Sequence, residues 1–201
     1  MAVDRKFWED YAPYYTKLAL SPVYKQFVAD TLKVISIRKG ERILDLGSGP
    51  GHFAQSLSRE GGRVSAVDYS QTMIEEAKKN PSQGLHDDGC VEFIYSDVYP
   101  YLKSAANDSF DLVLASLLVS YLEKPDFAIA EMFRVLRPGG RLIMSNPVPN
   151  PPFSAVFWKS GWTAFRYLFY AFHFSDTQEK SNDSNRKAFS ISSRLRKPRI
   201  C

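Results

Sequence analysis

Short apolar runs alternate with amphipathic segments along most of the chain. The apolar runs predict five strands, at residues 42–46, 63–67, 91–95, 110–115 and 140–145. The amphipathic segments between them predict four helices, at residues 52–60, 71–79, 99–105 and 125–136. Strands that alternate with helices indicate a mostly parallel sheet with right-handed crossovers. The pattern therefore predicts a doubly wound, Rossmann-like α/β fold that binds its ligand at the carboxyl ends of the strands.

A glycine turn follows the first predicted strand and precedes a predicted helix. It contains Gly47, Gly49 and Gly51, and glycine accepts the positive φ angles that bring backbone N–H groups close to a ligand. The helix would direct its positive end toward that ligand. Glycines at this place also form purely structural turns, so the motif alone is weak. A dinucleotide fingerprint would need glycine at position 52, which is His52.

Two acids end the next two predicted strands. Asp68 closes the second strand, where a carboxylate can accept hydrogen bonds from both hydroxyls of a ribose. The alternative role for Asp68 is to cap the following helix, but Ser70 is the better N-cap, so we expect Asp68 to be free for a ligand. Asp97 ends the third strand, and an isolated Asp at such a position is more typical of a turn.

These landmarks, together with the turn Leu136-Arg137-Pro138-Gly139-Gly140, occur in the order seen in one family. The chain resembles the class I S-adenosylmethionine-dependent methyltransferases of the small-molecule, type 11-like group, from about Tyr11 to Asn146. The resemblance implies the class I methyltransferase fold and S-adenosylmethionine as the cofactor. It places the cofactor-binding residues as follows: Asp45, Gly47, Ser48, Gly49 and Gly51 at the methionine part, with Asp45 near its ammonium group; Asp68, followed by Tyr69, at the ribose; Asp97 and Val98 at the adenine; and Ser116 beside the sulfonium.

The resemblance also predicts how the chain is divided. Residues 1–174 would form the methyltransferase domain, with a helical lid at 1–36 and a cofactor-binding core at 37–146. The lid contains an amphipathic segment from Arg5 to Leu20, in which Tyr14 and Tyr15 would close the carboxylate end of the cofactor. Residues 147–174 would form an aromatic-rich helix and residues 175–201 a basic, flexible tail.

The aromatic segment from Phe153 to Phe174 carries ten aromatic residues. Several recur at steps of three or four, which predicts one face of a helix. This helix could pack on the sheet, cover an apolar substrate, or make peripheral membrane contact through residues 153–174. Charged side chains interrupt it too often for a transmembrane span. The last two strands of the family, the second of them antiparallel, are doubtful or missing beyond Phe174.

Composition agrees with a cytoplasmic enzyme domain. The chain of 201 residues is 44% hydrophobic and 24% charged, has two cysteines, and begins without the apolar stretch of a signal peptide. Its net charge of +4 comes from residues 181–201, which hold six Lys or Arg and one Asp. Such a charged tail is more often solvated than bound to nucleic acid, and no nucleic-acid motif accompanies it.

The chemistry expected of the resemblance is methyl transfer to a small-molecule acceptor. Residues 115–118 read Ala-Ser-Leu-Leu, where methyltransferases acting on DNA bases or glutamine carry a D/N-P-P-Y/F motif, so nucleic acid is not expected as a partner. The aromatic segment favours an apolar acceptor such as a quinone, sterol, lipid or polyketide-like molecule. The reaction requires no metal, and the sequence identifies no catalytic base. Two alternatives stay open: a non-catalytic S-adenosylmethionine-binding or partner protein, and an NAD(P)-dependent oxidoreductase.

Overall fold

The computed structural model describes residues 5–79, 90–147 and 169–175. Two helices precede the sheet, α1 at Arg5–Ala19 and α2 at Pro22–Ile35. The remaining elements follow in chain order: β1 Arg42–Leu46, α3 His52–Arg59, β2 Arg63–Asp68, α4 Gln71–Lys79, β3 Cys90–Tyr95, α5 Val98–Ser104, β4 Phe110–Ser116, a 3₁₀ helix Val119–Tyr121, α6 Pro125–Val135, β5 Leu136–Pro147 and β6 Phe169–Ser175.

The six strands form one sheet in the order β3-β2-β1-β4-β5-β6. Neighbouring pairs among β1 to β5 are parallel, and only β6 is antiparallel to its neighbour within the described sheet. The chain reverses direction between β1 and β4, which is the position where open α/β sheets bind ligands. The predicted doubly wound α/β fold is confirmed, and so are its five parallel strands.

Alternation along the central strands divides the core into two layers. Ile43 and Leu44 are both buried, but Ile43 packs with α2 and α3 whereas Leu44 packs with α5 and α6. Successive side chains of a strand point to opposite faces, so a strand that is covered on both sides needs apolar residues at nearly every position. Asp45 is the exception, a polar residue at a buried position. It lies on the same face as Ile43, near the carboxyl end of β1.

The start of β5 differs from the sequence prediction. The strand begins at Leu136, which pairs with Phe110, and regular pairing resumes where Arg141 faces Leu112. The Pro-Gly-Gly segment between them forms an irregularity in the ladder rather than a turn before the strand. A Cβ at Gly140 would lie 2.8 Å from the Arg137 carbonyl oxygen, which explains why glycine stands there.

The predicted helix at 153–174 is wrong for residues 169–174, which belong to β6. Pro147 pairs with Phe169 and Arg141 with Ser175, so β6 satisfies the outer backbone groups of β5. This pairing outweighs the helical spacing of the aromatic residues, because an unpaired edge strand leaves its N–H and C=O groups without partners. β6 also supplies an antiparallel strand, which the sequence left in doubt. Residues 153–168 and the tail at 176–201 lie outside the described part of the chain.

Candidate active site

The glycine turn adopts the backbone conformation that its sequence predicts. Gly47, Gly49 and Gly51 have φ angles of 67°, 53° and 79°, in the left-handed region that side chains rarely adopt. At Gly51 an added Cβ would lie 2.8 Å from Cε1 of Phe93. At Gly47 it would lie 3.0 Å from Cδ1 of Leu118. The glycines therefore allow the turn to lie tightly between β1, β3 and the segment after β4.

The N–H groups of this turn donate within the protein, which differs from the sequence expectation. Gly47 and Ser48 both donate to the carbonyl oxygen of Val67, at 2.8 and 3.0 Å. Gly49 donates to Oδ2 of Asp68 at 2.8 Å. A pyrophosphate cradle needs such N–H groups free, so this turn is a poor site for the phosphates of a dinucleotide.

Asp45 is a buried acid below the turn, with 1% of its surface exposed. Its carboxylate accepts from the backbone of Ala54 in the first turn of α3, while its Oδ2 has no partner among the described residues. Burial, and then the nearby charge of Asp68, raises the pKa of Asp45 from 3.8 to about 8. Because the buried carboxyl has no positive partner among the described residues, the raised pKa keeps Asp45 protonated at neutral pH.

Asp68 ties the glycine turn to the end of β2. Its Oδ1 accepts from the Ser70 N–H at 2.9 Å, in addition to the bond between its Oδ2 and Gly49. Burial raises the pKa of Asp68 although these N–H bonds oppose the shift. The expectation that Asp68 is free for a ligand is thus corrected: each oxygen already has a donor, although a carboxylate oxygen can accept more than one hydrogen bond. Ser70 caps α4 as predicted, since its hydroxyl accepts from the Met73 N–H at 3.2 Å.

Asp97 and Val98 join β3 to α5. Asp97 is the N-cap of α5, and its Oδ1 accepts from the Tyr99 N–H at 2.9 Å. This capping role accounts for one of its two carboxylate oxygens. Val98 is buried at the start of the helix. Asp97 therefore has the structural role that is typical of an Asp at the end of a strand. Its second carboxylate oxygen can accept from a donor on a ligand.

Ser116 ends β4 beside a strained residue. Its hydroxyl lies 2.9 Å from that of Ser145 at the end of β5. Leu117 follows with a φ of 56°, and its N–H donates to the Ser145 carbonyl oxygen at 2.7 Å. A left-handed conformation costs a residue other than glycine about 1 kcal/mol or more. The hydrogen bond to β5 helps to hold Leu117 in that conformation at the end of the sheet.

These elements surround one cavity of about 510 Å³ at the carboxyl end of the sheet. Seven of the ten predicted site residues line it: Gly47, Gly49, Asp68, Tyr69, Asp97, Val98 and Ser116. Asp45, Ser48 and Gly51 do not, because Asp45 is buried within β1 and Gly51 lies against the ring of Phe93. The Ser48 hydroxyl is buried, with no hydrogen-bond partner in the described residues.

Helix α1 and the segment after β4 supply lining residues that the sequence did not predict. They include Arg5 and Trp8 from α1, and Leu118, Tyr121 and Leu122 from the segment after β4. The position of the last three after a central strand could have indicated them. The predicted lid indicated α1 as a whole, but not Arg5 or Trp8. Of the two predicted lid tyrosines, Tyr15 lines the cavity, whereas Tyr14 is 66% exposed and does not.

His52 does not reach the cavity. Its ring packs against Tyr24 with 5.7 Å between ring centroids, and its Nε2 is buried with no partner in the described part of the chain. Burial, and then the charges of Lys25 and Arg59, lowers the pKa of His52. A structural role behind the glycine turn fits these facts. Within the described ranges, no group of His, Cys, Asp and Glu side chains could hold a metal ion.

The fold and the site together define an open α/β protein with a ligand cavity at the carboxyl ends of its strands. Comparison with known proteins narrows this class. The family model described as a methyltransferase domain matches residues 44–144, which is half of the chain. The chain belongs to this methyltransferase family, and its fold is that of the class I enzymes, whose cofactor is S-adenosylmethionine.

Two curated relatives show the range of this similarity. The chain is 34% identical over 125 residues to a demethylmenaquinone methyltransferase of Clavibacter sepedonicus, covering 59% of this chain and 48% of the relative. It is 33% identical over 108 residues to a malonyl-[acyl-carrier protein] O-methyltransferase of Erwinia billingiae, covering 54% of this chain and 39% of the relative. The chain thus spans about half or less of the length of these relatives.

A solved structure with the same fold is that of the [4+2]-cyclase SpnF. It superposes with a TM-score of 0.60 at 22% identity, covering 71% of this chain and 59% of that chain. Identity at this level establishes the fold alone. Because SpnF is a cyclase by name, the activity of the present chain has to be argued from its own residues.

The residues around the cavity fit S-adenosylmethionine. Gly47 and Gly49 line the cavity without Cβ atoms that would obstruct a ligand, and the N–H groups of Gly47, Ser48 and Gly49 are not free to hold phosphates. Asp68 and Asp97 line the cavity, and their carboxylates can still accept hydrogen bonds from hydroxyl and amine donors. None of the helices described is both long enough and apolar enough to cross a bilayer.

Proposed function

We propose that this chain catalyses methyl transfer from S-adenosylmethionine to a small apolar acceptor. When bound, the cofactor supplies a methyl group on a positively charged sulfur, and transfer requires in-line approach of a nucleophile. The protein contributes by holding both partners in position and by excluding water. No catalytic residue is assigned, because none of the described cavity residues is placed as a general base.

The cofactor part of the proposal rests on the site residues as the sequence predicted them. Gly47, Ser48, Gly49 and Gly51 would hold the methionine part, with Asp45 near its ammonium group. Asp68 and Tyr69 would contact the ribose, Asp97 and Val98 the adenine, and Ser116 would lie near the sulfonium. The assignment is supported by the seven of these residues that line one cavity.

The apolar acceptor is supported by one feature of the cavity. Around the end of β4 its lining is mainly aliphatic and aromatic, with Trp8, Leu117, Leu118, Tyr121 and Leu122. Burial of an apolar ring against these side chains would contribute about 25 cal/mol per Å² removed from water. A quinol or another phenol fits this lining, and the similarity to a demethylmenaquinone methyltransferase agrees with such a substrate.

Calorimetric titration tests the cofactor, with S-adenosylmethionine, S-adenosylhomocysteine and NAD as ligands. We expect the first two to bind and NAD not to bind, because the N–H groups of the turn are engaged. Transfer of a labelled methyl group to reduced quinones, simple phenols and lipid pools tests the acceptor. Binding of NAD alone would refute the proposal.

A non-catalytic role is the second candidate. Seven of the ten predicted cofactor residues line the cavity, whereas the chain spans about half or less of the length of these relatives. Cofactor binding without methyl transfer to any of the pools would favour this role. Transfer to at least one acceptor, with loss of transfer in Asp68→Ala, would exclude it.

A further inference from the structure

Glu9 of α1 accepts hydrogen bonds from three consecutive residues at the start of α4. Its Oε1 accepts from the Gln71 N–H at 2.8 Å, and its Oε2 accepts from the Thr72 N–H at 3.1 Å and the Ser70 hydroxyl at 3.0 Å. The first N–H groups of a helix have no partner within the helix. Glu9 therefore serves as a cap that is supplied by a different helix, about sixty residues away in sequence.

Helix α1 forms one wall of the cavity, and it contacts both sides of it. On one side, the Arg5 guanidinium lies over the rings of Tyr69 and Tyr95, 5.8 and 5.6 Å from their centroids. On the other side, Trp8 meets Tyr121 edge-on, with 5.2 Å between ring centroids. Arg5, Trp8 and Tyr121 all line the cavity. Glu9 directly follows Trp8 in the helix, and it provides the anchor on the α4 side.

Ser70 connects this anchor to the predicted ribose acid. Its N–H donates to Asp68 and its hydroxyl donates to Glu9. Asp68 in turn accepts from Gly49 of the glycine turn. Ser70 and Asp68 thus connect α1 to the glycine turn through a continuous series of hydrogen bonds.

We propose that Glu9 is a positioning residue of the cofactor site, which holds α1 against α4 so that the cofactor exchanges only when this contact opens. The inference rests on the proposed cofactor binding. Glu9 touches neither the cofactor nor the acceptor in this role. It acts through Ser70 on Asp68, and through α1 on the placement of Arg5 and Trp8. Opening of such covers commonly limits ligand release.

Three variants separate the role of Glu9 from a general effect on charge or stability. Glu9→Ala removes both acceptor oxygens, and Glu9→Gln keeps one carbonyl oxygen but replaces the other oxygen with an NH₂ group that cannot accept. Asp10→Ala removes the same charge from the next residue, which is exposed on α1, and serves as the matched control.

The measurement is the dissociation rate of labelled S-adenosylhomocysteine, together with its association rate and the hydrogen exchange of α1 amides without ligand. We expect Glu9→Ala to release the ligand about tenfold faster and also to bind it faster, because entry and release both require the contact to open and several charge-assisted bonds that hold it closed are lost. Glu9→Gln should lie between, and Asp10→Ala should match wild type. Exchange should accelerate in α1 and stay unchanged in β1.

The outcomes distinguish a failure of cofactor binding from a failure of the role proposed for Glu9. If the wild-type chain does not bind S-adenosylhomocysteine, the proposed function fails and this inference fails with it. If wild type binds while Glu9→Ala releases the ligand at the wild-type rate, only the role of Glu9 is refuted. A lower unfolding temperature with unchanged release in both Glu9 variants would likewise refute it, because a purely structural cap would give that result.

Discussion

Replacing Asp45 with asparagine should remove a pH-dependent loss of stability. Asp45 is 1% exposed, its Oδ2 has no partner in the described residues, and burial with the charge of Asp68 raises its pKa from 3.8 to about 8. The folded chain therefore keeps this proton up to about pH 8, whereas the unfolded chain releases it near pH 4. Between these values the folded state binds more protons, so its stability falls as pH rises.

The size of the effect follows from linkage. One group that is protonated in the folded chain and ionised in the unfolded chain changes the free energy of unfolding by about 1.4 kcal/mol per pH unit. Between pH 5 and pH 7 wild type should lose about 3 kcal/mol from Asp45 alone. An asparagine side chain carries no charge at any pH, so Asp45→Asn should lack this loss. The stability of the variant relative to wild type should rise by that amount over the same interval.

The assay is urea unfolding of both proteins at pH 5, 6 and 7, followed by circular dichroism. Other titrating groups are common to the two proteins and largely cancel in the difference. Asp111→Asn is the matched control, because Asp111 lies at the opposite end of the sheet. Despite partial burial, hydrogen bonds from Arg42 and Arg137 hold the pKa of Asp111 below its usual value. Its stabilising contribution is lost only as pH falls toward that lower pKa, so its variant should show a constant difference from pH 5 to 7. A constant difference for Asp45→Asn would refute the reasoning.

Three further substitutions test separate parts of the structure. Gly51→Ala should destabilise the fold by about 1–3 kcal/mol in urea unfolding, because φ is 79° and the new Cβ would approach Phe93; unchanged stability would contradict the tight turn. Asp68→Ala should weaken S-adenosylhomocysteine binding in calorimetry by about 1–3 kcal/mol, because the ribose acid and the Gly49 anchor are both lost; an unaltered affinity would remove Asp68 from the site. Asp111→Asn should lower the free energy of unfolding at neutral pH by about 1 kcal/mol, because it weakens the hydrogen bonds from Arg42 and Arg137. It should leave the affinity for S-adenosylhomocysteine unchanged. Weaker binding would show that the site is sensitive to any loss of stability.

Much of the fold could be predicted from the sequence because local pattern and tertiary environment agree in the core. β1 carries apolar residues on both faces, as a central parallel strand must, and its predicted bounds are those observed. The glycine turn was equally clear, since Gly51 occupies a backbone conformation and a space that other residues do not fit. Ser70 was recognised as a cap by its place before α4.

The errors arise where one residue serves two purposes or where two periodicities compete. Asp68 was expected to be free, yet it accepts from Gly49 and Ser70, and these contacts depend on how β1 and β2 lie side by side. Residues 169–174 have helical aromatic spacing, yet they form β6, because pairing with β5 completes the sheet. Tyr14 and Tyr15 are adjacent, and only the rotation of α1 decides that Tyr15 faces the cavity.

The sequence by itself determined the order of strands and helices, the glycine turn and the acids at the strand ends, because backbone preference and apolar periodicity are local properties. Tertiary structure decided the charge state of Asp45, the closing of the cavity by α1 and the anchoring of that helix by Glu9. Those properties depend on burial and on contacts between residues that are far apart in the chain. Solvent exclusion and long-range hydrogen bonds exist only once the elements have packed.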